Sequence, residues 1–216
     1  MFPMAVIGFP GRSTDERQPA ALHPGLVLVR VLDVAAKVVL LFLLALVAIN
    51  PEWGNLEGKA PVARAVAYPM FAFVLPVVWA LFLRSRRPFP WVADLLVTIA
   101  CFSDILGNRL DLYDQITWFD DWMHFLDTGL VAGAVVILTL DHTARREAVV
   151  ERAIASGLTA SLAWELFEYV SFVTRSVELS WAYADTLGDL TLGWLGSVVA
   201  ALLIHATWQA LVPPPT

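Results

Sequence analysis

Apolar residues fill this chain in long stretches, and short polar breaks separate them. Six stretches stand out, at about 26–49, 61–83, 90–108, 121–140, 150–173 and 185–211. Each is close to the roughly 20 residues that a helix needs to cross a bilayer. The breaks carry turn and breaker residues: Asn50-Pro51 after the first stretch, Arg84 to Pro90 between the second and third, and Pro213 to Pro215 at the end. The pattern predicts an all-α fold, a polytopic bundle of six transmembrane helices over residues 26–211, with residues 1–25 as a flexible cytoplasmic tail. The opening MFPMAVIGFPGRSTDERQPAALHPG lacks the basic start, apolar core and small-residue cleavage site of a signal peptide, so it reads as a tail.

Composition fixes the solvent. Of 216 residues 58% are hydrophobic and 16% charged, and mean hydropathy is +0.68. Soluble domains are nearer half apolar and a quarter charged. The expected partner is therefore the lipid bilayer itself, with no separate soluble domain. A net charge of −6 says little about nucleic acid, but the chain shows no basic recognition surface, and no nucleic-acid partner is expected. Cys101 is the single cysteine, so no internal disulfide forms.

Lys and Arg in the loops set the expected orientation. Arg84, Arg86 and Arg87 follow the second stretch, Arg145, Arg146 and Arg152 follow the fourth, and Arg12 and Arg17 lie in the tail. The opposite loops hold fewer: Lys59 and Arg64, then Arg109, then Arg175. The positive-inside rule places both termini in the cytoplasm and the loops at 50–60, 109–120 and 174–184 outside. Trp53, Trp118 and Trp122 then fall at the outer interface and Trp91 at the inner one.

With that topology the intramembrane acids gather at one depth. Asp104 lies late in the third stretch, Asp120, Asp121, His124 and Asp127 open the fourth, Glu165 and Glu168 lie late in the fifth, and Asp185 and Asp189 open the sixth. Asp120, His124 and Asp127 share a stripe within about 60° on an ideal helix, while Asp121 points away. Asp120, Asp121 and Asp185 sit where helix caps sit, and for Asp121 and Asp185 capping accounts for them as well as chemistry does. Capping fails for Glu165 and Glu168, which lie inside an apolar run, and intramembrane carboxylates mark functional sites unless a buried base pairs them. The outer-side bases, Lys59, Arg64, Arg109 and Arg175, are too few to neutralise the cluster. Either some acids hold protons or a cation sits among them. An oxygen-rich shell with one histidine suits Mg, Mn or Ca better than a thiol-loving metal. The candidate metal ligands are Glu165, Glu168, Asp120, Asp189, Asp185 and Asp104, and the candidate catalytic groups are His124, Asp120 and Glu165.

Two further patterns concern packing. Arg30, Asp33 and Lys37 interrupt the first stretch at helical spacing and read as a charge ladder whose Lys37 snorkels to the cytoplasmic surface; the alternative is a buried carboxylate facing Lys37, and nothing in the sequence names one. Gly129 with Gly133, Gly193 with Ser197, and Gly196 with Ala200 form small-xxx-small ridges. They predict close contact between the fourth and sixth helices, bringing His124 towards Asp189.

The order of the polar motifs resembles the VanZ-like family and the related YjdF-type predicted inner-membrane proteins of bacteria. VanZ-like proteins open one helix with Asp-Lys-x-x-His-Phe. Here Asp120-Asp121-Trp122-Met123-His124-Phe125 stands there, with Asp121 for the lysine. Their next helix carries Glu-x-x-Gln; here it is Glu165-Leu166-Phe167-Glu168, nearer the Glu-x-x-Glu of YjdF-type proteins. Asp185, Asp189 and Gly193 match a following Asp-x-x-x-Asn-x-x-x-Gly, with Asp for Asn. The likeness covers roughly residues 100–205 and implies a polytopic inner-membrane protein of the cell envelope, in a family with one member linked to glycopeptide resistance. It brings no established reaction.

These readings lead to an integral membrane protein with an outward-facing carboxylate–histidine site. The expected chemistry is metal-assisted hydrolysis or group transfer on a lipid or lipid-linked envelope molecule, with His124 as general acid or base. A cation or proton transporter is the rival, as is a non-catalytic lipid-binding or assembly protein. Deep polar groups in the cytoplasmic half are few, chiefly Asp94, Lys37 and His205, which favours a one-sided site.

Overall fold

The structure, a computed structural model, describes residues 24–50 and 52–211. The tail with Arg12 and Arg17, Pro51 and the run Pro213 to Pro215 lie outside the described residues. The α-helices of the described residues are α1 (Pro24–Ile49), α2 (Pro61–Val78), α3 (Trp91–Arg109), the short α4 (Leu112–Gln115), α5 (Phe119–Thr139), α6 (Arg146–Ser171) and α7 (Ala182–Leu211). Local chemistry explains the boundaries. Proline opens α1 and α2, where a missing N–H costs nothing. The Pro-rich segment before Trp91 separates α2 from α3. α2 contains Pro69 and Pro76 and finishes in a widened π turn, Trp79–Leu83. There Arg84 N–H donates to Trp79 O at 2.8 Å.

Among the described residues, five helices are long and apolar enough to cross a membrane: Pro24–Ile49, Pro61–Leu83, Trp91–Arg109, Phe119–Thr139 and Ala182–Gln209. The fifth expected span corresponds to α6, which has the length but not the apolarity. Its buried face carries Gly157, Ser161 and Glu165 and packs on α5 and α7. Large apolar side chains such as Val31, Phe42, Met70, Phe82 and Leu203 are exposed, as the outer surface of a helix bundle in lipid requires.

Two packing centres lie side by side. Leu40, Val47, Tyr68, Ala72, Cys101 and Ile105 join α1, α2 and α3. Ala132, Val136, Val149, Ala153 and Ala201 join α5, α6 and α7. Contact between α3 and α5 links them. The α5–α7 contact is the most extensive in the bundle, as the glycine ridges predict. A Cβ on Gly129 would stand 2.9 Å from Gly196 O, and one on Gly196 would overlap Phe125 O at 1.9 Å. Only glycine lets these backbones approach so closely.

Lys37 does not snorkel. It is buried, and Nζ lies 2.6 Å from Asp33 Oδ1 and 2.8 Å from Asp94 Oδ2, with a third bond to Thr98 Oγ1. Helix α3 supplies the buried carboxylate that the sequence did not name. A primary ammonium with three buried acceptors has no reason to extend its stem to the surface.

Candidate carboxylate–histidine site

Five polar side chains from three helices meet at one end of the bundle. Helix α5 contributes Asp120 and His124, one turn apart on the same face. Helix α6 contributes Glu165 and Glu168, and α7 contributes Asp189. The short loop after α3 turns at Asp111, which adopts left-handed φ 61°, and returns the chain through α4 into α5. This return sets the start of α5 beside the end of α3.

The imidazole of His124 is the centre of the arrangement. Its Nε2 lies 3.7 Å from Asp120 Oδ1 and 3.7 Å from Asp189 Oδ1, and its Nδ1 lies 3.6 Å from Glu165 Oε1. The ring therefore separates two acid sets instead of lying beside one. Asp120, His124 and Asp189 form one set of ligand atoms within 4.8 Å of one another; His124, Glu165 and Glu168 form the other. His124, Glu165 and Asp189 are buried, whereas the Asp120 side chain is half exposed. Glu165 Oε2 accepts a hydrogen bond from Thr186 Oγ1 at 2.9 Å. Its other oxygen, Oε1, is buried without a hydrogen-bond partner. Such an oxygen is costly unless something electropositive occupies the space beside it.

A second network adjoins these sets. Arg64 of α2 is buried, with Nη2 3.2 Å from Glu168 Oε1 and Nε 3.4 Å from Asp104 Oδ2. Its guanidinium also lies over the rings of Trp164 and Phe172 at 5.6 and 5.7 Å. Asp104 accepts from Tyr68 Oη at 2.6 Å and Tyr113 Oη at 2.9 Å. Burial, reinforced by Asp104, pushes the Tyr113 phenol well above its usual range, so it stays a donor.

The expected ligands thus divide. His124, Asp120, Asp189, Glu165 and Glu168 come together. Asp104 is committed to Arg64 and two tyrosines and joins neither set. Asp185 is exposed and joins neither set. Asp127 departs from its stripe-mates and accepts from Ser103 Oγ of α3 at 2.9 Å. Asp121 is exposed and does not cap, because the N-cap of α5 is Trp118. Asp185 likewise lies inside the first turn of α7. Arg64 and Tyr68 were not legible as site residues. Their signal is a base and a tyrosine one turn apart on a helix that is otherwise apolar between Pro61 and Val78.

Fold and site together define an all-α integral membrane protein, a multi-helix bundle with a polar centre enclosed between helices. A family model described as predicted membrane protein (DUF2238) matches residues 32–210, and the chain belongs to that family. No curated protein and no solved structure matches it.

Proposed function

We propose that this chain is a membrane enzyme that holds a divalent cation at an outward-facing carboxylate–histidine site. Its substrate would be a lipid or lipid-linked envelope molecule, and its reaction hydrolysis or group transfer. The observation that carries the reading is the position of His124, which faces carboxylates through both ring nitrogens while Glu165 Oε1 lacks a donor. A cation between Asp120, Asp189 and Nε2 would balance two carboxylate charges. Glu165 would then hold the ring through Nδ1–H, the carboxylate–histidine–metal arrangement. Ligand atoms within 4.8 Å of one another can share one ion, since oxygen ligands stand about 2.0–2.6 Å from Mg²⁺ or Ca²⁺. His124 fits a ligand role better than a free acid–base role, because neither nitrogen is left for substrate.

A bound cation would stabilise negative charge developing on substrate. The half-exposed Asp120 gives the mouth through which a headgroup would enter. Arg64 pairs with Glu168 and Asp104, whereas Asp120, Asp189 and Glu165 pair with no lysine or arginine among the described residues. Mg, Mn or Ca suits the oxygen-rich set. The resemblance to VanZ-like and YjdF-type proteins supports an inner-membrane location. The loop charges support six spans, including α6, with both termini in the cytoplasm.

Metal analysis of the purified protein tests the reading. The parent should retain a divalent ion, Asp189→Asn should lose it, and Glu165→Gln should bind it about 10–100-fold more weakly, as expected for loss of an orienting carboxylate. Equal metal content in all three proteins would leave the acids as helix-pairing groups. A transporter is the second reading, favoured by the buried Lys37–Asp33–Asp94 cluster towards the other end of α3.

A further inference from the structure

A separate charged centre lies in the half of the bundle away from His124. It is built by Asp33 and Lys37 of α1 and by Asp94 and Thr98 of α3, all four buried. Asp94 precedes Asp104 by ten residues on α3, so about 15 Å of helix separates this centre from the Arg64 network. The ammonium of Lys37 donates to Asp33 Oδ1, Asp94 Oδ2 and Thr98 Oγ1, which uses all three of its N–H bonds. Thr98 Oγ1 also lies 3.0 Å from Asp33 Oδ1 and 2.8 Å from Asp94 O. One oxygen is left over: Asp94 Oδ1 is buried and has no hydrogen-bond partner.

Charge does not balance either. Two carboxylates and one ammonium leave one negative charge in a site with almost no access to water. No neighbour forms a further ion pair with it among the described residues. Arg30, one turn earlier on α1, is the next cation along the helix; its guanidinium lies over the Trp91 ring at 5.1 Å, its buried Nε has no hydrogen-bond partner, and it forms no ion pair among the described residues. From α2 the Phe73 ring faces Lys37 at 5.9 Å. Cys101 of α3 is buried and brings no positive charge. Asp127 of α5 is acidic and already held by Ser103. An unpaired buried charge is costly in a low-dielectric site, and the free oxygen of Asp94 is where a species of charge +1 would offset it.

We propose that the Lys37–Asp33–Asp94–Thr98 cluster is a proton-binding centre that holds one proton on the free Oδ1 of Asp94. The equilibrium is Asp94 carboxylate plus H⁺ giving the carboxylic acid, with Lys37 charged and Asp33 ionised in both forms. A proton fits better than an alkali cation. The ammonium already occupies the centre of the oxygen set, and a metal ion would need several oxygens where one is free. Such a centre would let this half of the bundle take up or release a proton independently of the His124 site, and it does not depend on the function proposed for that site.

Infrared difference spectroscopy of the purified full-length protein at neutral pH tests this. Subtracting the spectrum of Asp94→Asn from that of the parent should isolate one lost protonated-carboxyl C=O band. Asp33→Asn should lose the same band, because the remaining Asp94 carboxylate then pairs one to one with Lys37. Both variants should keep the parent's helix content and heat resistance: Asp94→Asn because asparagine mimics the neutral acid, and Asp33→Asn because one carboxylate still pairs with Lys37. Should Asp94→Asn fail to accumulate, Asp33→Asn decides alone. Loss of carboxylate stretches without any protonated-carboxyl band would overturn the proposal, and so would persistence of the band in Asp33→Asn. A band that appears only when Na⁺ is withdrawn would replace the proton by an alkali cation and overturn it as well.

Discussion

Arg64 Nη2 lies 3.2 Å from Glu168 Oε1, although 104 residues separate the two in sequence. This contact ties α2, at the rim of the bundle, to the helix that carries Glu165. Tyr68 and Trp164 stack beside it with ring centroids 6.0 Å apart. Removing one partner of a buried ion pair costs about 3–5 kcal/mol, because the other charge stays buried. Arg64→Ala should therefore destabilise the protein by about that amount in detergent unfolding. Adding Glu168→Gln should recover part of the loss. Additive penalties in the double variant would mean that the pair is not coupled.

The glycine contact between α5 and α7 makes a sharper packing test. A Cβ on Gly196 would overlap Phe125 O at 1.9 Å, so Gly196→Ala must push two backbones apart. Overpacking of this kind costs about 1–3 kcal/mol. A Cβ on Gly188, in the same helix, meets nothing within 4 Å. Gly188→Ala should be neutral, or stabilising by up to about 1 kcal/mol through helix propensity. Thermal unfolding of the two variants should move in opposite directions or differ by the overpacking cost.

Asp120 and Asp121 are neighbours with different surroundings. Asp120 Oδ1 faces His124, while Asp121 is exposed beside Trp118 and Trp122 in an apolar groove. At a hundredfold excess over Kd, a divalent ion should stabilise the parent by about 2.7 kcal/mol. Asp121→Asn should retain that gain, and Asp120→Asn should lose most of it. The reverse pattern in a metal-dependent thermal shift would place the cation on the wrong face of α5.

Topology offers an independent test. Reporter fusions in the 84–90 and 141–149 loops should report cytoplasm, and fusions at 109–117 should report the outside. An outside signal from 84–90 would turn the His124 site towards the cytoplasm.

A pH effect is expected at the turn after α5. Asp141 accepts hydrogen bonds from the Thr143 hydroxyl and from its backbone N–H, the latter at 2.8 Å. The hydroxyl bond first, then the backbone bond, holds this carboxyl below its ordinary value. A depressed folded value means that the turn's stabilisation is present above the unfolded pKa and is lost as pH falls through the folded one. Thr143→Ala should move the Asp141 titration, followed by carboxyl NMR, towards that of a free aspartate.

The sequence by itself determined the solvent, the helices and the small-residue seam. Length and apolarity of each stretch are local properties, so spans expected at 61–83 and 121–140 appear as Pro61–Leu83 and Phe119–Thr139. Gly129 and Gly196 were legible for the same reason: a missing side chain is visible in one dimension, and it acts by permitting approach. Tertiary structure alone decided which polar groups meet. Helix α5 is packed against α3, α6 and α7, so one stripe can serve different neighbours: Asp127 turns to Ser103 of α3, while His124 turns to Glu165 and Asp189. Spacing gives the angle of a residue around its own helix but not which helix lies at that angle. Lys37 shows the same limit, since its partner Asp94 is 57 residues away and becomes a neighbour only when α1 and α3 pack. In a bilayer an ammonium must find water or a carboxylate, and the position of a neighbouring helix determined which.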